Sequence, residues 1–193
     1  MTDYCIDLDL GLGPIVNVED LHKIDKSTYM HVYKITELIN PKLIVKLLKM
    51  GLTLNHAEIF YSPPSFNAVI HTDISSTFAV DDPNDFVKLN FIYYGNDSTM
   101  NWYEPIEGAK PDIKDVPNIY EGKVDVTAEY YNLTNVKLLH QQKVNFPSIV
   151  QVAIPHNSTT KTEERFCIGI IILKDGKRIT MQHAKEIFKQ YII

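Results

Sequence analysis

Val87-Lys88-Leu89-Asn90-Phe91-Ile92-Tyr93-Tyr94, followed by Gly95-Asn96-Asp97 and then by Thr99-Met100-Asn101-Trp102-Tyr103, reads as strand, turn, strand. Branched and aromatic residues suit a pleated, half-buried surface, and Gly, Asn and Asp supply the turn. The same grammar extends outward. Upstream, Ala57–Tyr61 and Ala68–Asp73 have strand character, and downstream so do Val136–His140, Ser148–Ile154 and Arg165–Leu173. Ser62-Pro63-Pro64, Asp82-Pro83-Asn84-Asp85 and Asp175-Gly176 punctuate them. Short strands with turns between them, and few crossover helices, argue against a parallel α/β sheet. They predict a mainly β chain with flanking helices, rolled into a double-stranded β-helix, or jelly roll.

Two helices flank this region. Asn40 caps the first, Pro41 opens it, Leu43, Ile44, Leu47 and Leu48 form its apolar face, and Gly51 closes it. The second, from Thr180 to Ile192, puts Ala184, Ile187, Phe188, Tyr191 and Ile192 on one side. The expectation is one domain over residues 1–193, with a core from about 40 to 175 and a C-terminal helix from about 180 to 192. The helix near residue 45 is expected on the outside of one sheet.

At 45% hydrophobic and 22% charged residues, with no low-complexity tract, the chain has the composition of a globular domain with a full core. Its net charge of −5 and scattered Lys and Arg offer no basic face for nucleic-acid phosphates. Met1-Thr2-Asp3-Tyr4 lacks the features of a signal peptide, and no run of residues reaches membrane-spanning length. Cys5 and Cys167 make no disulfide framework. The expectation is a soluble, cytoplasmic protein with neither membrane nor nucleic-acid partners. Asn132-Leu133-Thr134 and Asn157-Ser158-Thr159 match a glycosylation pattern that carries no meaning there.

His71-Thr72-Asp73 ends an apolar run, Asn67-Ala68-Val69-Ile70. On a strand, His71 and Asp73 point to the same face, bringing an imidazole and a carboxylate together. A histidine from a distant strand then completes a 2-His-1-carboxylate face with three open positions for the substrates of a redox iron. His156, after Val150-Gln151-Val152-Ala153-Ile154-Pro155, is the third ligand favoured here; His140, ending another apolar strand, is its rival. His156 is expected at a strand end, with Pro155 stopping the ladder. His56-Ala57-Glu58 has the spacing of His71-Thr72-Asp73, but it follows the helix exit, where an exposed pair is the ordinary expectation.

Arg165 opens Arg165-Phe166-Cys167-Ile168-Gly169-Ile170-Ile171-Ile172. A guanidinium on so apolar a strand needs a counter-charge, and its planar fork suits a carboxylate. The alternative places it at a solvated strand start beside Glu163 or Glu164. Cys167 and Gly169 share its face, where small residues leave room for a ligand or pack tightly.

Together, His71-x-Asp73, His156 after Ile-Pro, and Arg165-x-Cys167 resemble the Fe(II)/2-oxoglutarate-dependent oxygenases. Lys88-Leu89-Asn90-Phe91-Ile92 with Ser98-Thr99-Met100-Asn101-Trp102-Tyr103-Glu104 is similar to their aspartyl/asparaginyl β-hydroxylase-like branch, including bacteriophage-encoded versions, which would place the protein in a host cytoplasm. The resemblance covers roughly residues 40 to 173. It implies Fe(II) held by His71, Asp73 and His156, and 2-oxoglutarate held through its distal carboxylate by Arg165. Asn90, Trp102 and Cys167 would line the site.

The implied activity is hydroxylation of a C–H bond in a peptidyl side chain (Pro, Asp or Asn) or a small metabolite, consuming O2. There are departures: Cys167 stands where the family has Ser, Ile92 where it has Pro, and Asp73 where the true β-hydroxylases often have no acidic ligand. Glu104 to Tyr120, with Pro105, Gly108, Pro111, Asp112 and Pro117, is expected to be a mobile cover over the mouth. Two other readings stand beside this one. One is a catalytically silent jelly-roll binding module or viral accessory protein. The other is a cupin-type metal enzyme without 2-oxoglutarate, in which Arg165 faces away.

Overall fold

The computed structural model describes residues 3–74, 79–80, 82–116 and 126–193. The strands are β1 (Cys5–Asp7), β2 (Met30–Lys34), β3 (Thr53–Ser62), β4 (Ile70–Ile74), β5 (Ala79–Val80), β6 (Val87–Tyr94), β7 (Thr99–Pro105), β8 (Asp112–Val116), β9 (Val126–Tyr131), β10 (Val136–Lys143), β11 (Ser148–Gln151), β12 (His156–Thr159), β13 (Arg165–Lys174) and β14 (Lys177–Arg178). The helices are α1 (Val18–Leu21), α2 (Ile35–Leu38), α3 (Pro41–Lys49) and α4 (Met181–Phe188).

Eight of these strands define a jelly roll. In one sheet the order β3-β13-β6-β11 is continuous, and in the other β10-β7-β12-β4. Taken along the chain, the first of the eight pairs with the last, the second with the seventh, the third with the sixth and the fourth with the fifth (β3·β13, β4·β12, β6·β11, β7·β10). Every one of these pairings is antiparallel, and successive strands alternate between sheets except at the central hairpin β7·β10, which is the double-stranded β-helix expected from the sequence. β1 and β2 extend the first sheet, through β11 and β3, and β8 and β9 extend the second beyond β4.

The predicted strands all appear, and Val87–Tyr94 has the expected limits. Others shift. Ala57–Tyr61 lengthens to ten residues, and Ser148–Ile154 shortens to Ser148–Gln151. The capped helix is α3: Asn40 Oδ1 accepts from the Lys42 N–H, Pro41 is its first residue, and Leu43 and Leu47 are buried. They pack on the outer face of the first sheet, with Ala57, Ile59, Val87, Leu89, Ile168 and Ile170. Thr180 caps α4 by accepting from the His183 N–H, and Ala184 and Phe188 enter the same cluster.

Two expectations need correction. The segment from Glu104 is not one long loop: β7 runs to Pro105, the chain turns with Ala109 N–H donating to the Ile106 carbonyl, and Asp112–Val116 pairs with β9. Pro117 and Tyr120 lie outside the described residues. The N-terminal segment, outside the expected core, contributes Leu8, Leu10, Ile15 and Leu21 to the main apolar cluster. Among the described residues no helix is long and apolar enough to cross a membrane.

Candidate metal centre

Side chains on β4, β7, β12, β6 and β13 meet between the two sheets. His156 sits opposite His71 on β4 and opposite Trp102 on β7, so its ring falls on the same face as His71 and Asp73. His156 begins a strand rather than ending one. The preceding ladder stops at Gln151, and Pro155 lies in the connection, so pairing resumes at His156 itself. The His71 and His156 rings are 4.5 Å apart at their centroids, and His71 Nε2 is 3.7 Å from Asp73 Oδ1.

One ligand atom from each of His71, Asp73 and His156 lies within 4.8 Å of the other two. Among the described residues this is the one such grouping of three. An ion bound at about 2.1 Å places neighbouring ligand atoms about 3 Å apart, so binding draws these side chains slightly inward.

The hydrogen bonds around the histidines suit a metal. His71 Nδ1 is 2.9 Å from the Val69 carbonyl, and His156 Nδ1 is 2.9 Å from the Ile154 carbonyl. A carbonyl only accepts, so each Nδ1 carries the proton and each Nε2 keeps its lone pair free, as in metal sites where the second ring nitrogen is anchored. Burial, and then His71, push the His156 imidazolium down to about 3, so this ring is a neutral donor at ordinary pH. Burial alone raises Asp73, but Lys88 and the two histidines override it and hold the carboxyl well below the usual range.

Lys88, which the sequence reading did not assign to the site, organises its floor. Its Nζ is 2.5 Å from Glu58 Oε2 and 2.6 Å from Asp73 Oδ2, with all three side chains buried. The Asp73 contact is one of charge rather than an aligned hydrogen bond. Burial disfavours the Lys88 cation, but the two carboxylates override it and raise its affinity for the proton. Glu58 Oε1 reaches His56 Nε2 at 3.3 Å.

His56-Ala57-Glu58 is therefore not the exposed pair expected. The helix ends at Lys49, the chain enters β3 at Thr53, and Glu58 is 1% exposed. The signal that would have found Lys88 is alternation: Lys88 and Asn90 share one face of β6 while Val87, Leu89 and Phe91 share the other.

Arg165 is buried at 3% exposure and lines the same cavity as His71, Asp73 and His156, which excludes the solvated strand start. Its Nη1 is 3.4 Å from Ser158 Oγ, and its Nε has no partner among the described residues. Asn90 lines this cavity too, its Oδ1 likewise without a partner among them, and so does the buried Cys167. Gly169 leaves little room: a Cβ there would lie 3.3 Å from Asn90 Oδ1 and 3.6 Å from Glu58 Oε2.

Trp102 and His140 are placed differently. The Trp102 indole is fully buried in a second apolar cluster with Met100, Val150 and Val152, its N–H donating to the Gln151 carbonyl at 2.9 Å. His140 stacks against Tyr4 and Trp102 and reaches Gln142, so it is not a ligand of this cluster.

No protein-family model and no curated protein sequence matches the chain. Among solved structures, that of vicilin from Capsicum annuum is similar over 83% of this chain and 35% of that chain, at 10% identity and a TM-score of 0.31. The chain thus spans about a third of that protein. The jelly-roll assignment rests on strand order and pairing.

Proposed function

We propose that the protein is an Fe(II)- and 2-oxoglutarate-dependent dioxygenase that hydroxylates a C–H bond of a peptidyl side chain or small metabolite. The observation carrying this reading is that two imidazoles anchored through Nδ1, a carboxylate and a buried guanidinium, whose Nε has no partner among the described residues, border one cavity. A redox iron matches the donor set, and a dicarboxylate matches the guanidinium. A cupin-type metal enzyme without 2-oxoglutarate gives no role to an inward-facing Arg165. A silent binding module gives none to the paired, Nδ1-anchored histidines.

His71, Asp73 and His156 would hold the metal through Nε2, Oδ1 and Nε2. Fe(II) with 2-oxoglutarate and O2 supplies the oxidising power for the C–H bond, at the expense of decarboxylation to succinate. The chain's own residues place and shield. The Val69 and Ile154 carbonyls fix the two rings, and Lys88 occupies Asp73 Oδ2 so that Oδ1 is the oxygen left for the ion. Arg165 receives the distal carboxylate, and Ser158 supplies the hydroxyl that Cys167 lacks. The cavity that Arg165 shares with the three ligands is narrow, about 50 Å³, so the diacid would enter only with movement of the side chains that line it.

The test is anaerobic addition of Fe(II) and then 2-oxoglutarate, watched for the weak visible charge-transfer band of the chelate. The band is expected for the native chain, absent in His71→Ala, and shifted to much higher 2-oxoglutarate concentration in Arg165→Ala. No band and no Fe(II) binding in the native protein would sink the reading.

A further inference from the structure

A second, larger cavity adjoins the first. It holds about 340 Å³, within the usual size range of small-molecule sites, and shares Tyr29, Phe60, His71, Asp73 and Lys88 with the cavity of Arg165. Whatever reaches the metal ligands from this side lies in it. Aromatic rings form part of its wall: Tyr29 packs on Phe60 and Phe66 at 5.7 and 5.6 Å, and Tyr130 lies 6.1 Å from the His71 ring, with Met30, Val69 and Ala128 beside them. Val69, at 61% exposure, stands at its rim.

The charged groups of this cavity are already committed to one another. Glu58 is engaged through Oε1 by His56 and through Oε2 by Lys88, and Asp73 through Oδ2 by Lys88. A guest carboxylate would have to draw Lys88 from two buried carboxylates, each then uncompensated. A guest ammonium would find the two carboxylates already balanced by Lys88 and the nearby Arg178. A primary amide brings two donors and an acceptor with two lone pairs. Apart from His71 Nε2 and the Asp73 carboxylate, which face the metal position, the polar side-chain atoms of the described lining without a hydrogen bond are two tyrosine hydroxyls. Most of the amide's hydrogen bonds would go unmet, at a cost set by desolvation.

We propose that this cavity binds an uncharged apolar side chain, aromatic or branched aliphatic, as the group presented to the metal, and disfavours the aspartyl and asparaginyl side chains that stand beside prolyl among those the sequence resemblance suggests. Calling the guest a substrate rests on the oxygenase reading; the selectivity rests on the cavity alone.

The test therefore uses the metal-free full chain and four probes: the N-acetyl amides of phenylalanine, leucine, aspartate and asparagine, titrated by saturation-transfer NMR. The phenylalanine and leucine probes are expected to bind at least tenfold more tightly than the other two. Val69→Asp, a change at an exposed position, is expected to weaken the phenylalanine probe at least tenfold. Equal or tighter binding of the aspartate or asparagine probe, binding of no probe, or indifference to Val69→Asp overturns the proposal. A parallel Fe(II) titration separates the two readings: selective probe binding without metal binding supports this proposal while removing the oxygenase. Metal binding without probe selectivity does the reverse.

Discussion

The two faces of the first sheet, which holds β3, β13, β6 and β11, are built from the same strands and are almost equally dry, yet they differ in chemistry. On the outer face, Ala57 and Ile59 of β3, Val87, Leu89 and Phe91 of β6, and Phe166, Ile168, Ile170 and Ile172 of β13 pack against α3, α4 and the N-terminal segment. One residue along on each strand, Glu58, Lys88, Asn90, Arg165 and Cys167 turn inward and are buried as well. In a two-layer sandwich the space between sheets has to serve as the core. Here the helices give the sheet a third layer, the main apolar cluster lies outside the roll, and the inner face is free to carry charge. Among the described residues, a buried apolar cluster of six around Trp102 fills one part of the space between the sheets.

The inner face should be the more fragile to loss of a single partner. Lys88→Met removes the cation that bridges Glu58 and Asp73, leaving two buried carboxylates without it, and should destabilise the protein by about 3–5 kcal/mol. Urea denaturation measures it. Adding Glu58→Gln and Asp73→Asn to that variant should restore most of the loss, because a neutral cluster of the same shape has no unpaired charge to desolvate. A loss below about 1 kcal/mol for the single variant would mean that water reaches this face and that the contrast between the two sides is one of composition alone.

The outer face was the more legible of the two in the sequence, and the reason is physical. Apolar alternation and helix caps act locally, so Val87–Tyr94, Asn40-Pro41 and Thr180 announce their elements within a few residues. Ile6, Leu8 and Leu10 carried the same period-two signal, but the strand they begin is only three residues long. On the inner face, His71, Asp73, His156 and Arg165 were legible because their types are unusual at the ends of apolar runs. Lys88 and Glu58 were less so: the alternation of β6 marks Lys88 as inward-facing, but the partner that satisfies each lies thirty positions away and no local pattern names it. Trp102 misled in the opposite direction: it shares a face with His156, yet its indole turns into the apolar filler.

If stability resides outside and chemistry inside, the two should separate experimentally. Ile168→Ala opens a cavity in the outer cluster, at a side chain with no exposed surface, and should cost about 3 kcal/mol. Its Fe(II) affinity, measured on the folded fraction at low temperature, should match the native value within about twofold. A tenfold weaker affinity would show that packing on the helix side sets the positions of the ligands across the sheet, and the division of labour would fail.

The smallest effect tests where the two faces are joined by the backbone. Gly95, in the turn between β6 and β7, has φ +65°, and a Cβ there would lie 2.7 Å from the Arg165 Cβ. Gly51, at the exit of α3, has φ +76° with nothing within 4 Å of the same position. Alanine at either site meets the left-handed backbone penalty, about 1–2 kcal/mol, but only at Gly95 does it also press on the root of the guanidinium side chain. Gly51→Ala should therefore lower the thermal midpoint by a few degrees and leave the 2-oxoglutarate titration unchanged. Gly95→Ala should lose somewhat more stability and need several-fold more 2-oxoglutarate to reach the same band intensity. Equal behaviour of the two variants in both measurements would mean that this turn does not position Arg165, which would then be held through Ser158 and the strand alone.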